Sequence, residues 1–292
     1  MGKWSVGVFA SIDAGLGVKL EVARDLGIHT VQLHTPAKAS RTPENATAFL
    51  KKLEDYGITV TCVFLGFEGE SYETIAIAAD TVGFVPAATR AARLQEAFEI
   101  ADFTKLLGVE AIGSHIGFVP HKEDAENYDA MVKAIQSLCD HLAVNGQRLH
   151  LETGQEKAED LLTFLHDVQR DNIFINFDPA NLILYGMGDP IESLKKVGSY
   201  VRSVHCKDAK PTDGTPGVDW GSEVPFGTGD VNAELFLTTL KEIGFDGPLT
   251  IEREIPEEPE RQKAEIEQAL NLINSIQEKL FDQSGFLDRG VA

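Results

Sequence analysis

Four short stretches end in residues able to hold a cation or move a proton: RLHLET at 148 to 153, IFINFDP at 173 to 179, VRSVHCKDA at 201 to 209 and PLTIERE at 248 to 254. Each is largely apolar, the composition of a strand covered on both faces. Each nevertheless finishes on or near a polar group, Glu152, Asp178, His205 and Glu252 in turn. Side chains alternate along a strand, so His150 lies beneath Glu152, Asn176 beneath Asp178, Ser203 beneath His205 with Lys207 above it, and Thr250 beneath Glu252. The outward partners, Leu149, Leu151, Ile175, Phe177, Val204 and Ile251, suit packing against helices. Any one of the four could be a strand-end group facing water. An acid, acid, histidine, acid series on four consecutive strands argues instead for a shared site. Three crowded carboxylates repel one another and take up protons unless a cation neutralises them. With one imidazole they make a hard, oxygen-rich donor set that suits Mn²⁺, Mg²⁺ or Co²⁺ ahead of Zn²⁺.

The elements that position these residues repeat along the chain. Four further β-rich runs precede them, at 3 to 10, 29 to 35, 58 to 67 and 109 to 117, making eight. Segments of helical period lie between, such as TPENATAFLKKLEDYG and DAMVKAIQSLCDHLAVNG. Several end on glycine just before the next strand (Gly57, Gly108, Gly146, Gly244), the expected left-handed stop, and Asp230 is the expected cap of the seventh helix. Eight strand–helix repeats with short links predict parallel strands, right-handed crossovers and a closed (β/α)8 TIM barrel, one α/β domain over 1–292. A doubly wound open sheet would carry a glycine-rich turn after its first strand, and SIDAGLG fits that poorly. Two long connections, 68 to 90 and 210 to 230, are the expected lids on the active face.

Composition narrows the partners. Against 26 Lys+Arg stand 46 Asp+Glu, a net charge of −20, which repels nucleic-acid backbones and anionic membranes. Cys62, Cys139 and Cys206 form no CxxC pair, so free thiols and a reducing, cytoplasmic location are expected. No run approaches the roughly 18 apolar residues of a membrane span.

LETGQE, NFDPAN, VHCKD and LTIERE, in that order, resemble the xylose isomerase-like TIM-barrel superfamily in its sugar phosphate isomerase/epimerase branch. The resemblance covers nearly the whole chain. It implies one divalent metal on Glu152, Asp178, His205 and Glu252, with the two glutamates also serving as the acid–base pair. It implies proton abstraction beside a carbonyl through a metal-stabilised enediolate, for which glutamates from strands three apart in a ring of eight can flank a sugar carbon. Ketose 3-epimerases tend to have a histidine three residues after the sixth-strand acid, where this chain has Asn181. Lys207 is similar instead to the inosose dehydratase branch, so a dehydratase or lyase acting on a keto-sugar or inosose is the alternative.

Other candidates follow from position. Glu156 could hold a substrate hydroxyl, as in the family's pattern, or be a solvated loop acid. His34 and His115 close their strands on the inward register and are expected to bind substrate with Asn181 and Lys207. Trp220 and Phe226 could cover a sugar ring or anchor their loop. Arg90 and Arg93 could reach a phosphate or form a solvated helix face. GTG at 227 to 229 lies too far from its strand to cradle phosphate. An unphosphorylated sugar or polyol is therefore the expected small-molecule partner. The final helix offers a face for self-association into a homo-oligomer. An apurinic endonuclease would want more histidine ligands and a basic surface, and a non-catalytic sugar-binding barrel would not need Glu152 and Glu252.

Overall fold

The eight runs form eight parallel strands: β1 (Val6–Ser11), β2 (Thr30–His34), β3 (Thr59–Phe64), β4 (Ala111–Ser114), β5 (Arg148–Glu152), β6 (Ile173–Phe177), β7 (Val201–Cys206) and β8 (Leu249–Ile251). This computed structural model describes residues 2–282. Each strand pairs with the next, and β8 pairs with β1 through Val6 and Leu249, Gly7 and Thr250, and Val8 and Ile251. The protein is thus a closed (β/α)8 barrel of one domain. Two pairings slip by a residue: Gln32 lies opposite Cys62, skipping Thr61, and Asn176 lies opposite Ser203, skipping Arg202.

Local signals explain the helices. Thr42 accepts from the Asn45 amide to start Pro43–Tyr56, and Gly57 at φ +65° ends it. Gly108, Gly146 and Gly244 also have positive φ, as their stop role requires. The cap expected at Asp230 is instead Asn232, whose side chain accepts from Leu235 N to open Ala233–Glu242. Asp230 instead gives its backbone N–H to Ala209 O. In the last helix (Pro259–Asp282), Ile266, Ala269, Ile273 and Ile276 are buried, and Gln277 accepts from Trp4 N, tying the first residues to the last helix. Among the described residues no helix is long and apolar enough to cross a membrane.

Inward-facing side chains divide the barrel interior. Phe9, Cys62, Phe64 and Ala111 form an apolar cluster, while Gln32, His150, Asn176, Ser203 and Thr250 are buried polar groups. The long connections have structure of their own. The one after β3 contains helix Ile75–Thr81 and is fastened by Arg93, which donates to Thr81 O (2.6 Å), Gly83 O (2.7 Å) and Glu68 O (3.3 Å). Arg90 likewise donates to Phe84 O and Val85 O. These arginines are spent on backbone carbonyls, so neither the phosphate-binding nor the solvated-face expectation describes them. The connection after β7 carries an antiparallel ladder, Asp208–Lys210 with Ser222–Val224. The amides of Gly227 and Gly229 donate to the buried Asp208 carboxylate, so the GTG turn wraps an internal anion.

Candidate metal centre and active site

Asp178 follows β6 and serves as the N-cap of helix Pro179–Leu184, its Oδ1 accepting from Ala180 N (2.8 Å) and Asn181 N (3.1 Å). Capping alone would satisfy the D-P-A-N signature. The second oxygen, Oδ2, is buried without a hydrogen-bond partner. Its nearest charged neighbours are His205 Nδ1 at 3.6 Å and Lys207 Nζ at 3.9 Å; a buried carboxylate oxygen without a hydrogen bond is costly, and a closer cation is the natural remedy.

Three other strand ends bring the matching groups. Glu152, Asp178, His205 and Glu252 each offer one ligand atom, all within 4.8 Å of one another, and all four residues are buried. His205 Nδ1 stands 2.8 Å from Glu152 Oε1, 3.0 Å from Glu252 Oε2 and 3.6 Å from Asp178 Oδ2. The set could hold one metal ion, and its hard donors fit the expected class.

Electrostatics bind the cluster tightly. Burial works against charge on His205, but Glu252 and Glu152 outweigh it and hold the ring's proton well above the usual imidazole range. Burial likewise opposes ionising Glu252, yet His205 and Lys207 bring its carboxyl down to about 2. Burial raises Asp178 against the pull of Lys207. A divalent ion held here would compete with the His205 proton for one place, so acid would weaken its binding.

Above the cluster opens a cavity of about 350 Å³, at the small end of ligand sites. His115 Nε2 lies 2.8 Å from Glu152 Oε2, and Gln155 Nε2 approaches His115 Nδ1 at 3.0 Å. Asn181 Nδ2 donates to Glu152 Oε1 at 3.3 Å. Lys207 is buried between Glu252 Oε2 (3.2 Å) and Glu254 Oε1 (3.3 Å). His34 donates from Nδ1 to Thr35 O, and its ring is flanked by Gly15 and Gly66, where an added Cβ would stand 2.1 and 2.5 Å from it. Trp220 packs edge-on against Tyr185 on the cavity wall. Phe226 is buried and does not line the cavity, so of the two aromatics it is the loop anchor.

The cavity thus gathers His34, His115, Asn181 and Lys207 with Glu152 and Glu252, two of the four candidate ligands, but not Glu156. Glu156 is half-buried, accepts from Val119 N and faces a separate cavity with Phe118 and Lys122. His150 is a core group, bonded through Nδ1 to Ser203 Oγ at 2.9 Å and pushed down to about 3 by burial. Residues that sequence reasoning passed over also line the cavity: Glu70, Tyr72, Tyr185, Glu223 and Glu254. Glu254 had a signal, standing two residues past Glu252 in the same alternation.

A curated inosose dehydratase of Clostridium botulinum (strain Alaska E43 / Type E3) is 24% identical over 143 residues, 44% of this chain and 48% of that protein. A curated L-ribulose 3-epimerase of Methylomonas sp. (strain DH-1) is 26% identical over 144 residues, 47% of this chain and 46% of that protein. The chain therefore spans less than half the length of either. A crystal structure of a xylose isomerase domain protein from Planctomyces limnophilus is 54% identical, with a TM-score of 0.94 over 96% of this chain and 99% of that one. A xylose isomerase-like TIM barrel protein from Mycobacterium smegmatis, in complex with magnesium, shares the fold at 19% identity and a TM-score of 0.69, over 95% of this chain and 100% of that one. The family described as xylose isomerase-like TIM barrel matches residues 20–276, and the chain belongs to that family.

Proposed function

We propose that the protein is a divalent-metal-dependent isomerase or epimerase of a small, unphosphorylated sugar or polyol. The observation that carries this reading is the convergence of Glu152, Asp178, His205 and Glu252 beneath the cavity, with Asp178 Oδ2 buried and without a hydrogen bond. A divalent ion held there supplies positive charge beside a substrate carbonyl, easing the negative charge that develops as a neighbouring C–H bond breaks. Mn²⁺, Mg²⁺ and Co²⁺ are the proposed ions, and the magnesium in the Mycobacterium smegmatis barrel is in keeping with that choice.

The chain's own groups do the rest. Glu152 and Glu252 enter from β5 and β8, three strands apart in the ring; one takes a proton from one face of the carbon, and the other, itself protonated, delivers a different proton to the opposite face. His115 orients Glu152 through its Oε2, and Lys207 orients Glu252. Asn181 and His34 offer hydrogen bonds to substrate hydroxyls. Phosphate finds little to bind: no arginine lines the cavity among the described residues, and Lys207 is paired with two carboxylates.

Lys207 also favours a second reading. An ammonium held beside Glu252 and Glu254 is placed to assist departure of a hydroxyl, which would make the enzyme a dehydratase of a keto-sugar or inosose. One experiment separates the two: NMR of ketoses, aldoses and inososes after incubation in D₂O with Mn²⁺-loaded protein, read after metal removal. Deuterium beside the carbonyl together with a new epimer or isomer is the expected result. Loss of water selects the dehydratase, and no exchange on any compound refutes both.

A further inference from the structure

The imidazole of His205 has two nitrogens and only one faces the carboxylates. The other, Nε2, lies 2.7 Å from Gln32 Oε1, and Gln32 donates from Nε2 to Asn176 Oδ1 at 3.1 Å. Gln32 and Asn176 are fully buried, and Phe9 and Phe64 lie against the His205 ring at 5.7 and 5.3 Å between centroids. Gln32 comes from β2, far around the ring from β7.

We propose that Gln32, anchored by Asn176, is a positioning residue that fixes the tautomer of His205 for metal binding. An amide oxygen can only accept, so His205 Nε2 must carry the hydrogen. In the neutral ring the lone pair is then left on Nδ1, directed at Glu152, Asp178 and Glu252. The commoner partner for a ligating histidine is a carboxylate or carbonyl. Here three buried carboxylates already converge, and a neutral amide orients the ring without adding a fourth negative charge. The strands point the same way: the two register slips in the barrel fall at Gln32 and at Asn176. Such irregularities re-aim side chains beside functional sites. The proposal rests on the metal-centre reading, but it concerns neither the substrate nor the reaction.

The test compares wild type with Gln32→Met, which removes the acceptor at similar length, and Gln32→Glu, which keeps one. Calorimetric titration with Mn²⁺ and Mg²⁺ is expected to show affinity about 10- to 100-fold weaker in Gln32→Met, and a smaller loss in Gln32→Glu, which keeps the acceptor but gives up the bond to Asn176. In the Mg²⁺-loaded wild type, ¹⁵N NMR of His205 is expected to show the proton on Nε2. A purely structural amide would lower the melting temperature of Gln32→Met and leave its metal affinity alone. Wild-type affinity in Gln32→Met, or a proton on Nδ1 in the loaded wild type, overturns the proposal. If the variant does not fold, the wild-type NMR decides. A wild type that binds neither ion refutes the metal centre itself, a distinguishable failure.

Discussion

Asp178→Asn separates the two duties of one carboxyl. The asparagine oxygen can keep the cap bonds that Oδ1 makes to Ala180 N and Asn181 N, while an uncharged NH₂ replaces Oδ2, which makes no hydrogen bond. Burial raises the Asp178 carboxyl, so its ionised form is disfavoured in the folded protein before any ion binds. The neutral amide escapes the cost that burial places on an ionised carboxyl, a desolvation penalty of about 1–3 kcal/mol. With roughly 2.1 cal/mol/K of unfolding entropy per residue over 292 residues, that is about 2–5 °C. Metal-free Asp178→Asn is therefore expected to melt about 2–5 °C above metal-free wild type at neutral pH. Its Mn²⁺ affinity is expected to fall more than about 100-fold, beyond the loss of an outer partner. Asp178→Ala also loses the cap, at about 0.5–2 kcal/mol, so its metal-free melting point returns toward wild type while its metal binding is equally lost. Melting curves with chelator and with Mn²⁺, together with titration calorimetry, read both effects. Wild-type metal affinity in Asp178→Asn would refute the ligand assignment, and a lower metal-free melting point would refute the account of Oδ2.

Under the proposed mechanism, Glu252→Gln removes both a ligand charge and a proton acceptor. Turnover or solvent deuterium exchange is expected to fall at least about 10²- to 10⁴-fold, and wild-type rates would exclude its acid–base role. Glu156, pushed up to about 7 by burial, gives a pH signature away from the candidate metal centre. Its folded pKa lies above its unfolded value, so its contribution is intact below pH 4.5 and is lost as pH rises through 7. Glu156→Gln is expected to gain about 1–2 kcal/mol over wild type in urea unfolding at pH 8, discounted for partial exposure, with little gain at pH 4. Equal gains at both pH values would contradict this. Arg93→Leu leaves three backbone carbonyls without their donor. It is expected to destabilise the protein by about 2–4 kcal/mol and to open residues 68 to 83 to limited proteolysis, and an unchanged cleavage pattern would count against the fastening role.

What the sequence revealed and what it hid divide along a physical line. Alternation within an extended strand tells which side chains share a face, and that sufficed for Glu152, Asp178, His205 and Glu252 and for the histidines closing β2 and β4. It says nothing of partners across the barrel. Gln32 sits in TVQLH like an ordinary half-polar strand residue, and its contacts lie 144 and 173 residues away. Arg93 looks like a surface helix charge until the connection it fastens is in place. The two glutamates near the mouth show where alternation stops informing. Glu254 lies two residues past Glu252 and reaches the cavity beside Lys207, while Arg253 between them pairs with Glu223 and Glu265. Glu156 stands four residues beyond Glu152, but Gly154 at φ +149° breaks the extended path between them. Distance in sequence from Glu152 favoured Glu156, whereas the two-residue spacing from Glu252, with Arg253 turned aside, favours Glu254. The second is the better guide, because side-chain direction is inherited from the backbone only while the backbone stays in one conformation.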